Sequence, residues 1–247
     1  MATWLLIHSP LVGPGTWSRV AALLRRSGEE AVIPDLTPTL AAEGCHAVLQ
    51  AELVAGPVKG GAVVLVAHSA AGPLLPLIAQ RLNWQGVTVT ASVFVDAGLP
   101  HPGRSAMDVL PTPAVEQLRL MAVDGWLPPW TSWWSPEQLQ AMLPDAQLRK
   151  LMIESSPRVP VSLLMEALPA VEEDNLGTCS YIRLSAPYES LAQKAEQAGW
   201  RVGRIDANHL AILTSPGEVF EAMRELGTGA APAVPAGDTG LMSPRVV

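Results

Sequence analysis

The sequence predicts an α/β domain built on a mostly parallel sheet with helices on both of its faces. Short runs rich in Val, Ile and Leu alternate with amphipathic stretches, which is typical of strands that are buried on both sides and joined by helices. A length of 247 residues favours one such domain with one insertion over two full domains. Hydrophobic residues make up 49% of the chain, so it can fill a large core and we expect a folded protein.

Six short apolar segments, each bounded by Gly, Pro or polar residues, are predicted to be strands. They cover residues 3–8, 30–34, 62–67, 92–96, 179–185 and 200–205. A helix over residues 16–27 separates the first two strands, with Thr16 as its candidate N-cap. The last helix is predicted to begin after Ser215, because Pro216 suits a first helical position and Glu218 completes a capping box.

The stretch between the fourth and fifth predicted strands is first rich in proline and then helical in its pattern. We interpret residues 104–178 as a helical cap inserted into the core domain. The core domain itself consists of residues 1–103 and 179–226. Helices of the cap are predicted over residues 113–123, 135–143, 145–154 and 161–168. The remaining residues, 227–247, are dominated by Gly, Ala and Pro without an apolar period, so we expect a flexible tail.

Composition and charge exclude several classes of function. A net charge of −7 and a pI near 5.2 disfavour nucleic acids and anionic membranes as partners, since both bind clustered Lys and Arg. Cys45 and Cys179 have no metal-site spacing, and we expect neither a metal nor an organic cofactor. No apolar run approaches the ~20 residues of a membrane span and no signal pattern opens the chain, so we expect a cytoplasmic protein that acts on a small molecule. The sequence leaves open whether it is a monomer or a homodimer.

The end of the third predicted strand carries the clearest chemical signal. It reads Ala67-His68-Ser69-Ala70-Ala71 and turns directly into a helical pattern. A nucleophile on a tight strand-to-helix turn needs small residues two positions before and after it. Ala67 and Ala71 meet that need, although the G-x-S-x-G pattern itself is absent. The N–H groups that begin the helix, that of Ala70 first, would face an oxyanion at Ser69.

Three residues with the chemistry of a catalytic triad follow one another along the chain. Ser69, Asp96 and His209 each lie at the end of a predicted strand, and the loop over residues 7–13 precedes them with an early histidine. With these motifs, the chain from residue 3 to residue 226 resembles the α/β-hydrolase superfamily, and within it a group of actinobacterial α/β hydrolases. The resemblance implies an α/β-hydrolase fold in which Ser69 is the nucleophile, His209 the base and Asp96 the acid.

The position of the acid departs from most of that superfamily. Most members carry it in the turn after the strand that matches residues 181–185, where this chain has Pro187. Proline cannot orient a histidine. A minority of the superfamily takes the acid from one strand earlier, and Asp96 fits that placement. We therefore predict Asp96 as the acid, with Glu189 as the second choice because its longer side chain could reach back into the site.

A second departure concerns the oxyanion hole. The resemblance implies a backbone N–H from the early loop at the position of Pro10, which has no N–H to donate. Loss of one such donor costs about 3 to 4 kcal/mol of transition-state stabilisation. Either the Ser9 hydroxyl or the Leu11 N–H replaces it, or the reaction does not need a full oxyanion hole. In the related hydroxynitrile lyases a hydroxyl residue follows the loop histidine and hydrogen-bonds the substrate, as Ser9 would here.

These residues predict a serine hydrolase or acyltransferase that acts on an ester, thioester or lactone of a small, largely apolar molecule. Two alternatives remain: a lyase or cyclase that uses His209 as base with Ser9 and Ser69 as hydroxyl donors, and a ligand-binding receptor with a weak or idle triad. Four of the eight tryptophans lie together in the predicted cap, and they either wall a substrate pocket over Ser69 or form the core of the cap. They are Trp126, Trp130, Trp133 and Trp134.

Overall fold

The computed structural model describes residues 2–171 and 174–227. The tail predicted over residues 227–247 lies outside the described residues, except for Gly227, which belongs to the last helix. The strands are β1 (Thr3–Ile7), β2 (Ala31–Val32), β3 (Ala62–His68), β4 (Thr88–Val95), β5 (Trp126–Leu127), β6 (Val159–Pro160), β7 (Thr178–Arg183) and β8 (Arg201–Arg204). The helices are α1 (Ser18–Arg26), α2 (His46–Ala55), α3 (Leu75–Trp84), α4 (Ala106–Val109), α5 (Thr112–Met121), α6 (Pro136–Met142), α7 (Ala146–Ser155), α8 (Val161–Met165), α9 (Glu189–Gln197), α10 (Ala211–Thr214) and α11 (Pro216–Gly227).

The main sheet is fully parallel and confirms the predicted fold class. Its six strands are those that the sequence predicts, in the spatial order β2-β1-β3-β4-β7-β8, and every neighbouring pair runs in the same direction. β3 and β4 form the centre. β3 is apolar from Ala62 to Ala67, and β4 is buried from Ala91 to Val95, because both faces of the sheet are covered there.

Helices cover the two faces of the sheet and bury its alternate side chains. On one face Leu6 and Val66 pack in a cluster with residues of α1 and α11. On the other face Leu5 and Leu65 pack with residues of α2, α3 and α9. Successive side chains of a strand point to opposite faces, so the two clusters are separated by the sheet itself.

The segment over residues 104–177 joins β4 to β7, and we call it the insertion. It holds α4 to α8 and, in addition, a short antiparallel ribbon of β5 and β6 that the sequence does not predict. The capping box predicted for α6 is present, since the Ser135 side chain accepts from the Gln138 N–H and the Gln138 side chain bonds the Ser135 N–H. β7 begins at Thr178, one residue before the predicted boundary. No helix within the described ranges is long and apolar enough to span a membrane.

Candidate active site

The site lies at the carboxyl edge of the sheet, where β3 and β4 end side by side. His68 of β3 is paired with Val95 of β4. The residues that follow, Ser69 and Asp96, therefore leave the sheet at the same level. Ligands of open parallel sheets bind at this edge, so the strand register alone brings two of the predicted residues together.

Ser69 lies on a strained turn between β3 and α3. Its φ is 57°, in the left-handed region that residues with a side chain seldom adopt, and a 3-10 turn that begins at Ser69 leads into α3. Ala67 and Ala71 are fully buried. A Cβ on Gly72 would lie 2.1 Å from the Gly98 carbonyl oxygen. The small residues therefore let this turn lie directly against the sheet, as the sequence predicts.

Asp96 is fully buried and its carboxylate accepts four hydrogen bonds. Oδ1 accepts from the backbone N–H groups of Leu184 (2.7 Å) and Ser185 (3.1 Å). Oδ2 accepts from the Ser185 hydroxyl (2.5 Å) and from Nδ1 of His209 (2.9 Å). Burial alone would raise the pKa of this carboxyl, but the hydrogen bonds from His209 and Ser185 outweigh burial and hold the pKa below its ordinary value. Asp96 is thus a charged acceptor directed at the histidine.

The contact with Asp96 decides which nitrogen of His209 carries the proton. A carboxylate only accepts, so Nδ1 is protonated and Nε2 is left as a free base. The loop that carries the ring is fixed by Asn208, whose Oδ1 accepts from the Leu210 N–H (2.8 Å) and whose Nδ2 donates to the Met142 carbonyl of the insertion (3.1 Å). In the described chain the His209 ring has no hydrogen bond with Ser69, although both side chains line one cavity.

His68, next to Ser69, is hydrogen-bonded to the backbone of His209. Its Nε2 donates to the His209 carbonyl oxygen (3.0 Å), and the two rings lie 4.5 Å apart. Burial first, and then the neighbouring His209, lower the pKa of His68 to about 3. His68 therefore stays neutral at working pH and places no charge beside the base.

Tyr188 lies in the loop after β7 and was not a sequence candidate. Its ring stacks on the His209 ring at a centroid distance of 4.9 Å and an angle of 8°. Burial raises the pKa of its phenol to about 12, although a hydrogen bond with the Ser69 side chain acts in the opposite direction. The phenol is consequently protonated at neutral pH, and its ring covers one face of the imidazole.

The early loop is fastened by His8, and Ser9 is directed into the site. Nε2 of His8 accepts from the Leu36 N–H (2.9 Å), so its Nδ1 donates to the Ser9 carbonyl (2.8 Å). The Leu11 N–H donates to the Ser9 hydroxyl oxygen at 3.3 Å. Two groups were predicted to replace the N–H that Pro10 lacks. The Leu11 N–H donates to Ser9, so the proton of the Ser9 hydroxyl is the group that remains available to a substrate.

Five of the predicted site residues line a small cavity of about 200 Å³ that is partly open to solvent: Ser9, Leu11, Ser69, Trp130 and His209. Its walls are mostly apolar, with Ser69, Ser9 and His209 as the reactive polar groups. The lining residues are Ser9, Leu11, Val12, His68, Ser69, Trp130, His209 and Leu210. A slightly larger depression of about 250 Å³ lies elsewhere and is lined by five prolines without a serine or cysteine.

The four tryptophans of the insertion do not together line the cavity. Trp130 lines the cavity, with its ring 6.3 Å from that of His209. Trp134 packs edge-on against Trp130 at 5.4 Å and is 37% exposed. The Nε1 of Trp133 donates to the Pro128 carbonyl, whereas Trp126 belongs to the β5–β6 ribbon. Among the described residues, only Trp130 of the four borders the cavity.

Glu189, the second choice for the acid, is engaged elsewhere. Its carboxylate pairs with Arg183 at 3.0 Å and with Arg204 at 2.9 Å. Hydrogen bonds from Arg204 lower the pKa of this carboxyl, and the group lies on the outside of α9. The carboxylate that the structure places against His209 is that of Asp96. In the described part of the chain, no three His, Cys, Asp or Glu side chains gather into a possible metal site.

Comparison with known families agrees with this architecture. A model of the alpha/beta hydrolase family matches residues 4–222, most of the chain. The chain belongs to the alpha/beta hydrolase family. None of the curated proteins compared with this α/β hydrolase matches its sequence.

Solved structures of similar shape span almost the whole α/β hydrolase. An extracellular alpha/beta-hydrolase from a Paenibacillus species shares 20% identity and a TM-score of 0.71, over 92% of this chain and 99% of that one. A pyrethroid hydrolase from Sphingobium faniae shares 20% identity and a TM-score of 0.70, over 93% and 98%. Methylketone synthase I from tomato shares 13% identity and a TM-score of 0.70, over 92% and 98%. At these identities the likeness shows the shared fold.

Proposed function

We propose that this α/β hydrolase is a serine esterase, which cleaves an ester, thioester or lactone of a small, largely apolar molecule through Ser69, His209 and Asp96. The observation that carries the proposal is the hydrogen bond between Nδ1 of His209 and the buried Asp96 carboxylate, 2.9 Å long, beside a serine on a left-handed turn. A charged acceptor that fixes one tautomer makes the other ring nitrogen a base toward the cavity. Hydrolases among the proteins of similar fold favour the same reading.

The proposed reaction divides hydrolysis into two steps. The Ser69 oxygen attacks the carbonyl carbon while its proton passes to Nε2 of His209, and Asp96 stabilises the imidazolium that forms. Nε2 then returns the proton to the leaving oxygen or sulfur as its bond to the carbonyl carbon breaks. Water repeats the sequence on the acyl-enzyme and frees the acid. Ser69 and His209 line the same cavity, and the hydrogen bond between a nucleophile and its base is often long or poorly aligned before substrate binds.

Charge on the carbonyl oxygen would be stabilised from two sides. The Ala70 N–H lies in the first turn of the helix, where N–H groups lack intrahelical partners. The Ser9 hydroxyl is the second donor that we propose, since its oxygen already accepts from the Leu11 N–H and its proton has no acceptor in the described chain. A hydrogen bond received by a hydroxyl also strengthens the one that it donates. This arrangement replaces the N–H that Pro10 lacks.

The substrate class follows from the walls of the cavity. Leu11, Val12, Trp130 and Leu210 offer apolar surface, and a volume of about 200 Å³ suits a small acyl or alcohol group. We propose no cofactor, no nucleic-acid or membrane partner, and a location in the cytoplasm. These points, with the role of the predicted cap over residues 104–178 as a cover of the site, stay predictions from the sequence.

A lyase is the second candidate, and Pro10 with Ser9 is the observation that favours it. In that reaction His209 would remove a proton from the substrate, while Ser9 and Ser69 hold a substrate oxygen by their hydroxyls. No acyl-enzyme would form. The difference between the two reactions is therefore the covalent use of Ser69.

The experiment combines a fluorophosphonate probe with short-chain nitrophenyl esters. The esterase proposal predicts that the probe labels the wild type and not Ser69→Ala, and that the wild type releases nitrophenol continuously. Labelling without turnover would favour a lyase or a receptor with an idle triad. Failure of the probe to label the wild type would contradict an activated serine and with it the proposed function.

A further inference from the structure

Three of the four hydrogen bonds to the Asp96 carboxylate come from the short turn that follows β7. The N–H groups of Leu184 and Ser185 donate to Oδ1 at 2.7 and 3.1 Å, and the Ser185 hydroxyl donates to Oδ2 at 2.5 Å. Nδ1 of His209 supplies the fourth bond, also at Oδ2, at 2.9 Å. The Ser185 side chain and the base therefore share one oxygen of the acid.

The two backbone donors do not by themselves fix the oxygen that faces the base. They meet only Oδ1 of Asp96, and the last torsion of an Asp side chain is broad. A carboxylate held at Oδ1 alone is therefore free to twist, which takes Oδ2 out of line with Nδ1 of His209. The Ser185 hydroxyl contacts Oδ2 directly, so it is the side chain that restrains this twist.

We propose that Ser185 is a positioning residue of the reaction, because its hydroxyl holds Oδ2 of Asp96 in line with His209. The proposal rests on the esterase function above. Ser185 does not belong to the walls of the cavity, so it acts through the acid and leaves the substrate contacts to other residues. An aligned acid matters in both steps, since an imidazolium forms in each and Asp96 stabilises it.

Three ionisable side chains near the pair donate to other acceptors and leave this task to Ser185. The acceptors are the His209 carbonyl for His68, the Ala97 carbonyl for Tyr181, and the carboxylates of Glu189 and Asp206 for Arg183. Burial raises the pKa of Asp96, but the hydrogen bonds from His209 and Ser185 lower it below its ordinary value. The oxygen that Ser185 holds is thus a charged one.

The test removes the Ser185 hydroxyl and measures the hydrolysis of nitrophenyl esters. Ser185→Ala should lower kcat about tenfold to a hundredfold and leave KM within about twofold, since the acid is disturbed and the cavity is not. Ser185→Thr keeps a hydroxyl and should recover most of the loss. Ser185→Cys keeps the volume and donates weakly, so its kcat should lie between those of Ser185→Ala and the wild type.

The chain offers a matched control in Ser180 of β7. This serine is fully buried, and its hydroxyl has no hydrogen-bond partner in the described part of the chain. Ser180→Ala therefore removes the same atom from the same strand-and-turn segment without touching Asp96. Its kcat should stay within about twofold of the wild type, because no hydrogen bond is lost.

A double-mutant cycle shows whether Ser185 acts through the acid. In Asp96→Asn the oxygen that faces Ser185 and His209 is replaced by an NH₂ group, which leaves no charged acceptor for the hydroxyl to hold. Adding Ser185→Ala in that background should change kcat less than about twofold, against about tenfold or more in the wild type. A general defect of the fold would carry its loss into both backgrounds.

Proton NMR of the histidine side chains tests the alignment without a substrate. A proton in a short N–H···O bond to a carboxylate resonates far downfield, and that of His209 Nδ1 is identified by its absence from Asp96→Asn. In Ser185→Ala this resonance should move upfield and exchange faster with water, because the bond to Oδ2 is less well aligned. Ser180→Ala should leave it where the wild type has it.

Each result supports the positioning role or overturns it. An unchanged kcat, an equal loss in both backgrounds, or a His209 resonance that stays in place or moves downfield in Ser185→Ala overturns the role while the esterase proposal stands. If Ser185→Ala does not fold, a Ser185→Cys enzyme with wild-type kcat and resonance overturns it instead. A wild type that hydrolyses no ester and takes up no probe overturns the proposed function, and the resonance then still decides whether Ser185 aligns Asp96.

Discussion

Replacing Asp96 by Asn should abolish activity by reversing the tautomer of His209. All four partners of the carboxylate donate: two backbone N–H groups at Oδ1, and the Ser185 hydroxyl and Nδ1 of His209 at Oδ2. The backbone donors cannot turn, so the amide oxygen of Asn must face them and its NH₂ must face His209. The imidazole can then accept at Nδ1 only by carrying its proton on Nε2, which leaves no base for Ser69.

The expected loss in kcat is about ten-thousandfold, the size that a reversed tautomer causes in serine proteases, or about 5 kcal/mol in the barrier. The fold should survive, because the backbone donors at Oδ1 keep an acceptor. We expect the variant to lose about 1 to 3 kcal/mol in free energy of unfolding for the weakened hydrogen bonds of a buried group.

The assay is the steady-state hydrolysis of short-chain nitrophenyl esters, with urea unfolding to verify the fold. Glu189→Gln is the matched control, since it neutralises the other candidate acid, which is paired with Arg183 and Arg204 in a partly buried cluster away from His209. It should keep activity within about threefold, because neither arginine contacts Ser69, Asp96 or His209 in the described chain. An Asp96→Asn enzyme with more than a tenth of wild-type activity, or a Glu189→Gln enzyme that loses a thousandfold, would refute the assignment.

Three further predictions concern Asp96, Ser9 and Gly72. The pKa of Asp96 is lower in the folded protein than in the unfolded chain, where it is about 3.9. Its charge therefore stabilises the fold above that value, and the stabilisation is lost as the pH falls toward the lowered pKa. Between pH 7 and pH 3, the free energy of unfolding measured in urea should drop more for the wild type than for Asp96→Asn. Ser9→Ala should reduce kcat about a hundredfold by removing an oxyanion donor while Ser9→Thr keeps most of it, and equal ester kinetics for Ser9→Ala and the wild type would contradict the donor role. Gly72→Ala should lower the free energy of unfolding by about 3 kcal/mol through the clash with a backbone carbonyl, whereas Gly217→Ala in α11, with open space around its Cβ, should be neutral or stabilising in the same urea titration.

The elements of the fold whose sequence shows a strong local pattern could be predicted. The six strands of the sheet were found because each is a short apolar run between turn residues. α2 was missed because its sequence is apolar around most of its surface, while two of the residues on its buried face, His46 and Gln50, are polar, so no apolar stripe marks that face. β5 and β6, of two residues each, are too short for an alternation to be visible.

In the site, too, the residues with a local sequence signal could be predicted and the others could not. Ser69 and Asp96 were identifiable because each follows a strand directly, and strand register then fixes their separation. Ser185 and Tyr188 were missed because their roles depend on how the loop after β7 folds back over the sheet. A serine and a tyrosine around Pro187 are ordinary loop residues in the sequence, so no local signal reveals that one binds Asp96 and the other stacks on His209.

Rapid-quench mass spectrometry of the enzyme mixed with nitrophenyl acetate tests directly whether Ser69 acts as a covalent nucleophile. We predict that, within the first turnover, the peptide containing Ser69 gains one acetyl group, and that the adduct is absent from Ser69→Ala and decays at the steady-state rate of hydrolysis. Turnover of the ester without an acetylated Ser69, or with the acetyl group on another residue, would contradict it.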